Sequence, residues 1–307
     1  MHPAPSIILF TTLSGLGYGL AAMLGLGLLD PSAAATKAAH VLALALIAGG
    51  LTSSTLHLGN PQRAWRAFSQ WRSSWLSREG VMAVLTFVPL AANAVASLWS
   101  GRYMPLPGIV GAFLCGVTVY CTAMIYASLR SVQAWNTPWT PACYLAFALA
   151  GGLALAGFFS VLGGDEAAWL LVLAALAIVG AWGAKLQWWS RLAGLGPLST
   201  PETATGLGGI GRVRLFERPH MNGNYLTDEM GFRVARKHAV KLRRIAVIVG
   251  GVVPSVLLLS TAVADTSPAV MGSLSAVAAL AFFAGTLVER WLFFAEARHA
   301  VMNYYGS

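Results

Sequence analysis

Long apolar runs separated by short polar ones set the pattern of this chain. Eight such runs lie near residues 6–29, 36–58, 79–99, 105–128, 141–162, 165–189, 243–264 and 268–298. A helix of about 20 residues matches the roughly 30 Å hydrocarbon core of a bilayer. The pattern therefore predicts an all-α integral membrane protein with eight transmembrane helices, forming a single transmembrane domain over residues 1–307. The last run exceeds a minimal span and is expected to tilt or to project into water. Glycines recur inside the runs (Gly15, Gly17, Gly19, Gly25 and Gly27 in the first; Gly151, Gly152 and Gly157 in the fifth) and predict close helix approach. No Lys or Arg precedes the first run, which is therefore read as a retained helix rather than a cleavable leader.

Composition agrees. Hydrophobic residues make up 57% of the chain and charged ones 10%, against about 25% charged in soluble domains. The runs are joined by links of two kinds. Those at 30–35, 100–104, 163–164 and 265–267 are very short, whereas 59–78, 129–140 and 190–242 are longer and polar. Eight crossings put the three longer links and both termini on one side. All but Lys37 and Arg102 of the 20 Lys and Arg residues fall on that side or at helix ends facing it. By the positive-inside rule the long-loop face and both termini are expected to be cytoplasmic, in a bacterial inner membrane. The arginines would also suit docking of a partner, whichever side they face. The net charge of +9 follows from this bias, so no nucleic-acid partner is expected. Within 190–242 the first half reads as irregular, and its GLGGIG lacks the preceding strand of a nucleotide fingerprint. The second half predicts an amphipathic basic helix near 225–244, suited to headgroups, to a partner surface or simply to water.

Candidate chemistry collects at one membrane boundary. His57 ends the second run, Glu79 begins the third, and the loop 59–78 between them carries Arg63, Arg66, Arg72 and Arg78 without an acid. Ionisable groups at membrane depth are functional candidates. Quinone chemistry moves two electrons and two protons. It needs a hydrogen-bond partner for a quinone oxygen, which suits His57, and a carboxyl group to carry protons, which suits Glu79. Trp65, Trp71, Trp75, Tyr126 and Trp135 are expected near this face as an apolar wall. Each residue has a plainer reading too. His57 can cap its helix, Glu79 can complement a helix dipole or pair with Arg78, and the tryptophans can form an interfacial belt.

The six histidines (2, 40, 57, 220, 238 and 299) offer little for haem. His40 and His57 share one helix, 17 residues or about 25 Å apart. His57 with His299 is the one geometrically open pair, so no haem is expected. Cys115, Cys121 and Cys143 have no metal-site spacing, and no metal is expected in the chain. Electrons must then come from a partner bringing its own centre. A transporter, the rival of another class, would show internal repeats and midplane charges. No clear repeat is seen, and the charges read as boundary charges.

The stretch HLGNPQRAWRAFSQWRSSWLSREG (57–80) resembles the signature of the DmsC family, and YASLRSVQAWNTPWTP (126–141) is a second match at the corresponding loop. Together with eight spans, the resemblance covers nearly the whole chain. It implies a membrane anchor in a three-subunit complex, with a molybdenum bis-pyranopterin catalytic subunit and a ferredoxin-like iron–sulfur subunit. It also implies a quinone (ubiquinone or menaquinone) bound by the anchor. The family's quinone-linked histidine and glutamate fall on His57 and Glu79, with Arg63, Arg78, Trp75 and Tyr126 around them. Arg66, Arg72, Arg130, Arg233, Arg236 and Lys237 are then expected to dock the iron–sulfur partner. The DMSO reductase anchor presents its partners outside the cytoplasm, whereas the charge bias here places them inside. With its longer, more basic 190–242 loop, the chain is more similar to the SoeC anchors of cytoplasmic sulfite dehydrogenases. That likeness implies sulfite oxidation with quinone reduction. Reduction of DMSO or another sulfur compound at the expense of menaquinol is the alternative.

Overall fold

The structure is a computed structural model that describes residues 2–56, 60–165, 168–197, 199–214, 216–217, 238–264 and 266–305. Eight helices in it are long and apolar enough to cross a bilayer. They are α1 (Pro5–Gly25), α2 (Ala34–Thr55), α3 (Trp75–Ser100), α4 (Pro105–Ala127), α5 (Trp139–Gly163), α6 (Ala168–Ala193), α7 (Ala239–Val263) and α8 (Pro268–Ala295). No strand occurs among the described residues. His57, Arg233, Arg236 and Lys237, with most of the basic helix expected at 225–244, lie outside the described residues.

Local chemistry explains the boundaries. Helix α3 starts at Trp75, four residues before the apolar run, because Ser74 is extended and its hydroxyl accepts the Ser77 N–H at 3.5 Å. It stops at Gly101, whose φ of +60° closes the last turn. There the N–H of Gly101 reaches Ser97 O and that of Arg102 reaches Ala96 O. Two of the longer links hold helical turns, although the first half of 190–242 is expected from its sequence to be irregular. The link at 59–78 contains a 3₁₀ helix, Pro61–Gln70, and that at 190–242 a short helix, Pro201–Thr205, with a capping box between Thr200 and Thr203.

Helices α1 and α5 form the spine, with 72% and 67% of their spanning windows enclosed by protein. Helix α1 packs on α2, α4 and α5, α3 packs on α4, α6 and α8 pack on α5, and α7 packs on α6 and α8. Glycine sets the two closest approaches. A methyl group at Gly19 would strike the backbone of Ala148 and Gly152 in α5, and one at Gly250 would strike Gly285 in α8. Pro254 shapes α7 as well. It has no N–H for the carbonyl four residues earlier, that of Gly250, and the helix widens to a π turn over Ile248–Val252. Trp182 Nε1 donates to that freed carbonyl at 2.7 Å, so a lost helical bond becomes a tie between α6 and α7.

The burial pattern is inside-out relative to a soluble protein. Val88, Trp99, Leu106 and Phe113 are among the most exposed side chains, while Thr86, Asn93, Ser97, Thr118, Lys185, Glu289 and Arg290 are buried. Lipid is the solvent of the outer surface, so apolar side chains face it and polar ones pair inside. One end of the bundle is closed by short-range bonds. Ser97 Oγ donates to Pro31 O at 2.8 Å, and the Tyr103 hydroxyl donates to Gly25 O at 2.7 Å. The other end carries the longer links and is tied by Ser53 Oγ to Ser6 O, Ala300 N–H to Ser131 O, and Asn303 Nδ2 to Ser199 Oγ.

Gly19→Leu is expected to destabilise the bundle by about 3 kcal/mol or more, because backbone rather than a flexible side chain must move. Gly116→Leu, at a position with open space, serves as the control. The melting temperature in detergent should fall for the first and stay near wild type for the second, and equal stability of both would refute the α1–α5 contact described.

Candidate functional site

The 3₁₀ helix and the turn after it form a ledge at the long-loop end. Arg63, Trp65, Arg66, Trp71 and Arg72 are exposed on it, and Arg130 is exposed on the neighbouring link. Arg66 and Arg72 lie over the rings of Trp65 and Trp71, with guanidinium carbons 5.5 and 5.7 Å from the ring centres. Arg78 fixes the ledge to α3. Its Nε donates to Trp71 O at 3.1 Å and its Nη2 to Arg72 O at 2.7 Å, while its guanidinium sits 4.3 Å from the centre of the Trp75 ring. Among the described residues no ion pair joins Arg78 or Arg63 to Glu79. Adjacent residues on a helix point about 100° apart, so Arg78 turns to the ledge and Glu79 turns inward.

Glu79 is 4% exposed. Its Oε1 accepts from the hydroxyl of Thr122 in α4 at 3.1 Å. Further along α3 into the bundle, Thr86 and Thr118 share a hydrogen bond at 2.9 Å. The two links stitch α3 to α4 along a polar seam. Above the carboxyl group, Phe68 of the ledge covers Gly80 and Trp75 meets Tyr120 edge-on at 6.0 Å between centroids. This boundary patch of Phe68, Trp75 and Tyr120 is aromatic and partly exposed, so its chemistry suits a quinone ring.

Two residues expected at this face lie deeper. Tyr126 is buried against Trp135, Tyr144, Phe293 and Phe294, with centroids between 5.3 and 6.0 Å. Trp135 is buried too, and its Nε1 donates to Phe293 O at 2.9 Å. Both belong to the aromatic core joining α4, α5 and α8, and they fix that core rather than line the boundary.

The reading of charges as boundary charges needs correction. Lys185 of α6 and Glu289 and Arg290 of α8 are inside the bundle, at 1%, 0% and 2% exposure. Lys185 Nζ lies 2.6 Å from Glu289 Oε1, and Arg290 Nη1 lies 3.2 Å from Glu289 Oε2. Aromatic faces complete the shell. Lys185 Nζ is 3.8 Å from the centre of the Trp188 ring, and the Arg290 guanidinium carbon is 3.8 Å from that of Tyr144. The charges touch, yet neither Glu289 oxygen nor Arg290 Nε and Nη1 finds a partner of good hydrogen-bond geometry among the described residues. Two cations against one carboxylate leave the cluster at +1. The signal was present in the sequence as a lysine within AWGAKLQWW and the pair Glu289–Arg290 within an apolar run.

A second polar site opens at the long-loop end. Arg243 Nη2 and Glu296 Oε1 are 2.7 Å apart, and Trp189 Nε1 donates to Glu296 Oε2 at 2.9 Å. Arg243 and Glu296, with Arg298, His299 and Asn303, border a basin between the α6 end and the C-terminal segment. Partial burial holds the His299 imidazole below its ordinary pKa, and its Nδ1 accepts the Val301 N–H at 3.2 Å.

The family model for the DMSO reductase anchor subunit (DmsC) matches residues 1–295. The C subunit of the sulfite dehydrogenase of Allochromatium vinosum is similar along its length. It is 32% identical over 334 aligned positions, covering 100% of this chain and 99% of that protein. A bundle of eight apolar helices, a basic aromatic ledge at one end and a buried carboxyl group beneath it thus occur in a chain that belongs to the DmsC family of membrane anchor subunits.

Proposed function

We propose that this anchor passes electrons between the iron–sulfur cluster of a ferredoxin-like partner and a quinone. The molybdenum catalytic subunit of the same complex would oxidise sulfite, with the quinone reduced. Glu79 carries the reading. It is a buried carboxyl group at the membrane boundary, under an exposed arginine–tryptophan ledge that can receive a partner. End-to-end similarity to a sulfite dehydrogenase subunit supports the choice of substrate. A reductase anchor oxidising menaquinol is the second reading, favoured by membership of the DMSO reductase anchor family.

In this reading the quinone is the substrate that accepts two electrons and two protons. Glu79 donates a proton at a quinone oxygen, and Thr122 orients the carboxyl group. His57 holds an oxygen by hydrogen bonding. Phe68, Trp75 and Tyr120 exclude water from the ring. Arg78 holds the ledge in place, while Arg63, Arg66, Arg72 and Arg130, with Arg233, Arg236 and Lys237, meet the acidic surface of the iron–sulfur partner. These cations, and both termini, face the cytoplasm of a bacterial cell.

Two measurements test this reading. In membranes carrying the assembled complex, Glu79→Gln is expected to lower sulfite-to-quinone turnover by about 100-fold, the scale of a lost general acid. Electron flow from sulfite to a soluble dye should be preserved. Full quinone-coupled turnover in both Glu79→Gln and His57→Asn would sink the site. Orientation is tested by labelling, since Cys115, Cys121 and Cys143 are all buried. An impermeant maleimide should label Arg102→Cys from outside intact cells and Arg212→Cys only after permeabilisation, and the reverse pattern would place the ledge outside.

A further inference from the structure

The basin at the long-loop end has a volume of about 610 Å³, in the range of pockets that hold small ligands. Its polar wall comes from α7 and the segment after α8, and both oxygens of the acid on that wall are already taken. Glu296 Oε1 accepts from Arg243 Nε at 2.8 Å and lies 2.7 Å from Arg243 Nη2, while Oε2 accepts from Trp189 Nε1 at 2.9 Å. Glu296 therefore fixes Arg243 in place. Arg298 is exposed, and no ion pair reaches it among the described residues. His299 Nδ1 accepts the Val301 N–H, so the neutral ring carries its proton on Nε2, and that nitrogen is a donor. What this wall offers a ligand is thus cations and donors. With Arg243 and Glu296 cancelling, Arg298 leaves it at +1.

The facing wall is apolar and comes from the end of α6, with Leu192, Ala193, Leu195 and Pro197. Ala193 is exposed and stands seven residues, about 10 Å, beyond Leu186. Seven residues make almost two whole turns, so the two side chains leave α6 on the same face. Leu186 is an exposed apolar side chain within the span, which makes that face the lipid-facing one. The basin therefore borders the lipid side of α6, just past the ends of α6 and α8, at the depth of the headgroups. A ligand there meets cations on one side and, on the other, apolar surface that continues into the hydrocarbon. A free anion would use only the first, whereas a phospholipid uses both. Basic pockets between transmembrane helices are established receptors for anionic headgroups, and a guanidinium group matches the paired oxygens of a phosphate.

We propose that the basin binds the phosphate of an anionic phospholipid. Arg298 and His299 Nε2 hold phosphate oxygens, Arg243 is the second, fixed cation, and the glycerol end of the lipid lies against Leu192 and Ala193. The bound lipid joins α6, α7 and the segment after α8, three elements that meet only at this end of the bundle's long links. The site is independent of the quinone reading, since it uses neither Glu79 nor the ledge.

Lipid add-back tests the site. The full-length chain and the assembled complex are each stripped of lipid in detergent. Native mass spectrometry then follows the binding of dioleoylphosphatidylglycerol, dioleoylphosphatidylcholine and inorganic phosphate. Phosphatidylglycerol should bind about fivefold or more tightly than phosphatidylcholine, the scale of one net cation against an anionic headgroup. Arg298→Gln and His299→Phe should each weaken phosphatidylglycerol binding by about tenfold, the scale of a hydrogen bond to a charged group. Arg298 has no ion-pair partner among the described residues, so its variant should fold as wild type does. Arg72→Gln, which removes the same charge from the same end of the bundle, should leave binding close to wild type. Equal affinity for the two lipids, or equal losses in Arg72→Gln and Arg298→Gln, would overturn the proposal. So would displacement of phosphatidylglycerol by inorganic phosphate, which would assign the basin to a free anion. Binding to the lone chain but not to the complex would overturn it as well, because a partner protein would then fill the basin.

Discussion

A carboxyl or guanidinium group enclosed by lipid-facing helices has no bulk water to solvate it, so the protein must supply every partner. That constraint orders this bundle. Ser77, Glu79, Thr86, Asn93 and Ser97 form a buried polar row along α3, and each of the inner members bonds a neighbouring element. Asn93 Oδ1 accepts the Met104 N–H at 3.2 Å, and Ser97 reaches the link before α2. The Lys185–Glu289–Arg290 cluster applies the same rule to full charges. Buried ion pairs gain little net stability over apolar packing, but losing one partner is costly, so the three groups commit α6 and α8 to one register.

The first two turns of α3 couple the ledge to the interior. Ser74 sets where the helix begins, and this choice determines which way Arg78 and Glu79 point. The arginine holds the ledge by two carbonyls and a tryptophan face. The glutamate, one residue on, bonds Thr122 in the core. Any movement of the ledge under a docked protein therefore acts on the rigid helix that carries the carboxyl group.

The spans were legible because apolar windows of bilayer length seldom arise for any reason but crossing a membrane. Every start lies within four residues of the expected position, and α3 begins early because a serine cap, rather than hydropathy, sets its first turn. The Glu79 environment was half legible. Its depth followed from position, but its partner Thr122 is 43 residues away and Arg78 turned out to serve the ledge. Tyr126 and Trp135 lie near the expected face in sequence yet pack into the aromatic core, since proximity along a chain does not fix which side of a helix a ring takes. The ionic cluster was hidden for a related reason. Lys185 and Arg290 sit within two or three turns of helix ends, where they resemble boundary cations. Only the folded arrangement, which brings Lys185 of α6 and Arg290 of α8 to the two oxygens of Glu289, reveals that a carboxylate lies between them.

The unequal links have a consequence for how such a chain can vary. Helices α1 and α2, α3 and α4, α5 and α6, and α7 and α8 are joined by tight connections, so the bundle is four helical hairpins. At the tight end, Gly101 and Gly164 adopt positive φ, and Ser97 and Tyr103 bond across hairpins. An added residue there would disturb register throughout. At the opposite end buried Trp135 ties the 129–140 link to the core, but the described residues of the links at 59–78 and 190–242 are mostly exposed, so the length of these two is less constrained by packing. Descendants of one ancestral anchor can therefore acquire new docking partners by lengthening those segments, while the lipid-embedded hairpins stay unchanged.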